Sequence, residues 1–167
     1  MVLAYSRQMY VEFTLSQTME QFLAAHVNGF NALGVPKKVM VDNLRCAVLR
    51  HARGEAAQFN PRYLDFARHY GFEPVACAVA KGNEKGRVER GVGYVKVNFL
   101  AGLELPDFAA LNPAAQVWIE SVANVRLHRE THRRPVDLWA QERAQLQAVN
   151  PRPFDVGRVL VVRANRQ

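Results

Sequence analysis

Two short apolar runs open the chain, Val2 to Tyr5 and Met9 to Phe13, parted by the polar Ser6-Arg7-Gln8, and this pattern predicts a hairpin. From Thr18 the period changes to about 3.6 residues, with Met19, Phe22, Leu23, His26, Val27, Phe30 and Leu33 on one stripe, so an amphipathic helix is expected. Thr18 with Gln21 forms a capping pair at its start. Gly34 and Pro36 end it, and Lys37 to Val41 reads as a buried strand closed by Asp42-Asn43.

Leu44 to Leu49 is a short apolar piece, followed by a basic, loop-like stretch from Arg50 to Gln58. Asn60-Pro61 then starts a second helix, because Asn caps and Pro suits the first helical position; Tyr63, Leu64, Ala67 and Tyr70 make its buried stripe. After Gly71, Phe72 to Val79 is a strand whose Pro74 suits an edge or a start. A polar, glycine-bearing loop from Lys81 to Gly86 leads into a helix marked by Val88, Val92, Val95 and Phe99. Further helices are expected from Pro106 to Leu127 and from Pro135 through Leu138, Trp139 and Leu146, and Val159 to Val162 reads as a lone strand after the linker-like Pro151-Arg152-Pro153. Strands and helices sharing one core argue for an α/β fold.

Composition narrows the partners. In 167 residues, 22 Lys and Arg stand against 15 Asp and Glu, a net +7 that favours a polyanion. Two cysteines, Cys46 and Cys77, are too few for a disulfide scaffold and lack zinc-site clustering, which fits a reducing cytoplasm. The longest apolar run, Val75 to Ala80, is far short of a membrane span.

Two acids stand out. Asp42 follows the buried run Val39-Met40-Val41, and the carboxyl end of a central strand is where open α/β sheets bind ligands. Its bland reading is a cap, by Asp42 or Asn43, on a short helix from Leu44. Glu89, in Lys85-Gly86-Arg87-Val88-Glu89-Arg90, borders an apolar helical stripe among cations; its bland reading is a surface ion-pair network. Acids so placed can converge on Mg²⁺ or Mn²⁺, which prefer carboxylate oxygen, while Lys81, Lys85, Arg87, Arg90 and Lys96 neutralise a nucleic-acid backbone. Arg126, Arg129, Arg133 and Arg134 form a second basic cluster suited to phosphates. His128 and His132 stand at i and i+4, but Glu130 is misplaced for a zinc-protease motif, and His26, His51 and His69 read as structural.

The segments Leu33-Gly34-Val35-Pro36, Val39 to Leu44 and Lys85-Gly86-Arg87-Val88-Glu89-Arg90, running on to Asn98-Phe99-Leu100, together resemble the DDE transposases and retroviral-type integrases. Within them the chain is most similar to bacterial insertion-sequence transposases that work with an ATPase helper protein. The resemblance implies a ribonuclease H-like mixed sheet flanked by helices, in which two Asp and one Glu hold metal ions. Asp42 matches the second acid and Glu89 the third, with Glu84 as the competing choice; Asn43, Lys81, Lys85, Arg87, Arg90, Lys96, Arg133 and Arg134 are the implied DNA contacts.

No acid precedes Glu12, which lies in the wrong strand, so the first strand with its Asp is expected to be missing, together with an upstream helix-turn-helix. On this view residues 1–127 are an N-terminally truncated integrase catalytic core, 128–150 a connecting helical segment and 151–167 the start of a C-terminal β module. The implied function is metal-dependent DNA cleavage and strand transfer in transposition, by a bacterial, cytoplasmic homo-oligomer acting on transposon ends and target DNA. The chain alone is expected to hold Mg²⁺ or Mn²⁺ weakly and to be inactive. The competing readings are a non-catalytic nucleic-acid-binding domain of the same fold, and a subunit-assembly module built on the Pro106 to Leu127 helix.

Overall fold

The computed structural model describes residues 1–52, 54–77 and 90–157. Helix α1 spans Met19–Leu33, strand β1 Lys38–Val41, β2 Val48–Arg50 and β3 Gln58–Phe59, followed by α2, Pro61–Tyr70, and β4, Glu73–Ala76. Helix α3 covers residues 90–100, its last turn, Lys96–Leu100, being π-helical. Helix α4 runs over Leu111–Trp118 and continues as a π-helical turn, Ile119–Ala123; α5 is Pro135–Glu142, followed by a 3-10 turn.

The helix boundaries follow local chemistry. The Thr18 hydroxyl accepts from the Gln21 N–H at the start of α1, and Asn60 accepts from Arg62 N–H ahead of Pro61 at the start of α2. Gly71 closes α2 at φ +75°, a left-handed conformation that a Cβ would strain, and this turns Phe72 back into the core. Gly34, at φ +93°, ends α1 beside Leu146, whose Cβ would stand 3.0 Å from a Cβ placed there. Val35 and Gln147 then exchange two backbone hydrogen bonds of 3.0 and 2.9 Å, which tie the segment after α5 to the end of α1.

β1 and β4 pair in parallel, Lys38 opposite Glu73 and Val41 opposite Ala76, while β2 and β3 form a small antiparallel pair. α2 is the crossover between the parallel strands, and its Tyr63, Phe66 and Tyr70 meet Phe30 of α1 and Phe72 in a buried aromatic cluster. Phe154 caps this cluster edge-on to Phe66 at 5.4 Å. Full burial of each such ring contributes about 1.5–3 kcal/mol, so α1 and α2 act as one clamp on the inner face of β1. A second core joins Met9 to Val95 and Phe99 of α3 and to Ala115 and Ala123 of α4.

The N-terminal runs approach as expected, with Leu3 N–H on the Gln8 carbonyl and Tyr10 N–H on the Met1 carbonyl, but the ladder is the single bridge Val2–Met9. Residues 9–13 find other partners. Asn124 bonds both N–H and C=O of Met9, Gln116 donates to the Val11 carbonyl, and Asn112 bonds both N–H and C=O of Phe13. Alternate residues of an extended segment are thus met by amide side chains from α4 and the residue just beyond its last turn, which take the place of a neighbouring strand.

Two sequence expectations need correction. β1 is not buried on both faces: Val39 and Val41 face the core, while Met40 is 40% exposed. The helix expected from Pro106 begins at Leu111 and ends at Ala123, since 106–110 fold as turns and the outer valines Val117 and Val122 face solvent. The loop-like stretch expected from Arg50 to Gln58 is a loop between β2 and β3, and only its ends differ, Arg50 closing β2 and Gln58 opening β3. The Val159–Val162 strand lies outside the described residues.

Candidate nucleic-acid interface

Asp42 sits immediately beyond the C-terminal end of β1, and its side chain is exposed. Two tight turns shape the corner around it. The Asp42 carbonyl accepts from Leu44 N–H at 2.7 Å, and the Leu44 carbonyl accepts from both Ala47 and Val48 N–H at 2.8 Å. No helix starts at Leu44, so Asp42 is not a helix cap; its Oδ1 accepts instead from the next N–H, Asn43, at 2.8 Å. The turns bring β2 back so that His51 stands beside Asn43, with its Nδ1 donating to Asn43 Oδ1 at 3.2 Å. Arg45 is exposed on the same corner and has no acidic partner among the described residues.

A carboxylate at a strand end suits a hard divalent cation, which takes oxygen ligands. Among the described residues, no three His, Cys, Asp or Glu side chains gather into a metal site, so they supply one ligand by chemistry and not a complete set. Glu89 and its competitor Glu84, with Lys81, Lys85 and Arg87, lie outside the described residues.

The remaining basic candidates stand over the second core. Arg90 opens the described part of α3 and Lys96 its π-helical turn, both exposed. Arg90 is held by Glu130 at 3.4 Å, and Glu130 also pairs with Arg7 at 3.2 Å. Arg134 makes two bonds to Asp137, at 2.8 and 2.9 Å, which raise its pKa and hold the Asp137 carboxyl below its ordinary range. Arg133 is exposed. Arg126 stacks its guanidinium 3.9 Å from the Tyr94 ring centre. His128 and His132 lie in a turn, with His132 at φ +52°, so they do not share a helical face; burial and the nearby Arg126 and Arg7 lower the His128 pKa.

The structure therefore brings together Asp42, Asn43 and His51 on one corner, and Arg7, Arg90 and Glu130 on another. His51 reads as structural in the sequence because its partner lies eight positions back, across a turn that no periodicity marks. Of the other histidines, His26 is packed among Phe22, Phe30, Tyr63 and Phe66, and His69 bonds the Arg152 carbonyl at 2.7 Å. No helix of the described residues is long and apolar enough to cross a membrane.

Comparison with known proteins places these features in a context. The chain is 35% identical over 155 residues to the transposase for insertion sequence element IS21 of Pseudomonas aeruginosa, which covers 92% of this chain and 40% of that protein. It is 33% identical over 155 residues to a transposase of Aminobacter aminovorans, covering 92% of this chain and 30% of the relative. The transposase for insertion sequence element IS640 of Shigella sonnei is 35% identical over 135 residues, 80% of this chain and 42% of that protein. No family model matches the chain. These relatives are transposases, two of them named for insertion sequence elements, and the chain spans between 30 and 42% of the length of these three.

Proposed function

We propose that residues 1–167 form part of the catalytic core of a DDE-type DNA transposase with a ribonuclease H-like fold, acting in metal-dependent DNA cleavage and strand transfer. The observation that carries this reading is the exposed Asp42 at the carboxyl end of a parallel strand, in a chain whose homologues are transposases over most of its length. Asp42 and Glu89 are the ligands for Mg²⁺ or Mn²⁺, with Glu84 as the rival to Glu89. The third carboxylate belongs, in this reading, to a part of the protein outside residues 1–167.

An open edge of β1 supports that assignment. The Lys37 and Val41 carbonyls accept from Glu73 and Cys77 N–H, so the odd-numbered residues of β1 bond to β4. Lys38 and Met40 then direct their backbone groups to the opposite edge, which has no strand partner among the described residues. A further strand added there would end beside Asp42.

In the reaction proposed, water attacks a phosphodiester at the transposon end and the P–O3′ bond breaks, freeing the transposon 3′-hydroxyl. That hydroxyl then attacks a target phosphodiester and displaces a target 3′-hydroxyl. When bound, the divalent ions supply activation of the attacking oxygen and stabilisation of the leaving one. Asn43, Arg90, Lys96, Arg133 and Arg134, with Lys81, Lys85 and Arg87, hold phosphates and set the position of the duplex. A bacterial cytoplasmic homo-oligomer and an ATPase helper complete the proposal, both resting on the family resemblance.

The test joins this chain to an upstream strand bearing an aspartate and follows Mg²⁺-dependent joining of transposon ends to a plasmid. Asp42→Asn and Glu89→Gln should each abolish joining while DNA binding persists. Full activity in either variant would remove that residue from the site, and DNA binding without any cleavage would favour a non-catalytic binding domain.

A further inference from the structure

We infer that His51 is a positioning residue that holds the Asn43 amide with its NH₂ group outward, as a donor to a phosphodiester oxygen beside Asp42; this rests on the function proposed above. A phosphate oxygen only accepts hydrogen bonds, so an asparagine next to the site assists binding with its nitrogen and opposes it with its oxygen. In this structure Asn43 Oδ1 is taken by His51 Nδ1 at 3.2 Å, which leaves Nδ2 as the outward group. Asn43 is exposed, and without a partner its amide turns freely, presenting either end.

His51 is well placed to impose the choice. It follows β2 directly, and β2 is fixed by Val48, which is buried and paired with Phe59 of β3. On the other side, the Asp42 and Leu44 carbonyls close the turns that hold Asn43. Two independently anchored backbones therefore meet through one hydrogen bond. Asp42 and Asn43 are adjacent, so a phosphate held beside the Asp42 carboxylate would lie within reach of the neighbouring amide, the carboxylate being the group that would hold a divalent ion there. Exposed Arg45, on the same corner, adds charge without orientation.

The experiment measures binding of a fluorescein-labelled DNA duplex to the 167-residue chain by anisotropy, with and without 10 mM Mg²⁺ (about that concentration, chosen to load a weak site). Mg²⁺ should tighten binding by the native chain, and Asp42→Asn should remove that gain. His51→Ala and Asn43→Ala should each weaken Mg²⁺-supported binding by about 3- to 10-fold, as expected for one lost hydrogen bond to a charged oxygen. The double variant should lose no more than either alone. His51→Gln, whose amide can still donate to Asn43 Oδ1, should stay within about twofold of native, a rescue that a general loss of folding would not give. Native-like binding by His51→Ala, or additive losses in the double variant, would overturn the inference while Asp42→Asn still upholds the site. A Mg²⁺ gain that survives Asp42→Asn, or no gain in the native chain, would instead overturn the metal reading on which it rests.

Discussion

Asn124 and Met9 form a closed pair: the Asn124 Oδ1 accepts from Met9 N–H and its Nδ2 donates to the Met9 carbonyl, each at 2.9 Å, with both residues buried. One side chain thereby satisfies both backbone groups of a strand-like residue 115 positions away. Asn112 repeats the arrangement at Phe13, and Gln116 stands between them on Val11. The N-terminal segment is held by a column of amides on α4 and the residue that follows it.

Asn124→Ala leaves a buried N–H and a buried C=O without partners, each costing about 1–3 kcal/mol. The expected outcome is a loss of about 2–5 kcal/mol in urea unfolding, with the far-ultraviolet spectrum of the native state retained. Asn112→Ala should cost less, because Phe13 and Asn112 are only half-buried. Equal, negligible effects at both positions would mean that water replaces the amides without penalty.

His26 should make stability fall in mild acid. Burial drives its pKa from 6.5 down to about 4, against the opposing pull of the Phe22 carbonyl, which accepts from Nδ1 at 2.8 Å. Below pH 6.5 the unfolded chain protonates this histidine while the folded one does not, so the unfolded state binds more protons. Stability is therefore complete above pH 6.5 and declines as pH falls towards 4, by up to on the order of 3 kcal/mol. Unfolding midpoints at neutral pH and near the lower pKa, measured for the native chain and for His26→Gln, separate this from the carboxylates. The variant should lose less on acidification; an equal loss in both would place the pH dependence elsewhere.

Glu130 restrains two cations, Arg7 at 3.2 Å and Arg90 at 3.4 Å. The Arg90 pair is exposed and the Arg7 side chain largely covered; surface pairs stabilise a fold by about 0–1 kcal/mol, so losing the Arg90 pair in Glu130→Gln should change stability little. The substitution frees the exposed Arg90 guanidinium for phosphates and removes one negative charge, and DNA affinity at low salt should rise about 2- to 5-fold. The gain should shrink as salt is raised, because counterion release drives it. Unchanged affinity would place DNA away from the Arg7–Arg90 corner.

Local patterning was enough to locate α1 and α2 with their caps, the two strands of the parallel pair and the acid that follows the first of them. These depend on neighbours in sequence: Thr18 with Gln21, Asn60 with Pro61, Gly71 at positive φ, and an apolar period that repeats within one element. The resemblance to transposases likewise rested on contiguous residues, and the homologues are transposases of insertion sequences. What tertiary structure decided lies between distant segments. Whether Met40 is covered depends on which elements pack over β1, and α4 starts at Leu111 because the turns before it, and not its apolar content, set the boundary. The amides of Asn112, Gln116 and Asn124 read as ordinary polar helix positions until an extended segment a hundred residues away docks against them. His51 has no partner in sequence and acquires one only when two turns fold β2 back onto Asn43, since a side-chain hydrogen bond needs a distance near 3 Å and leaves no periodic trace.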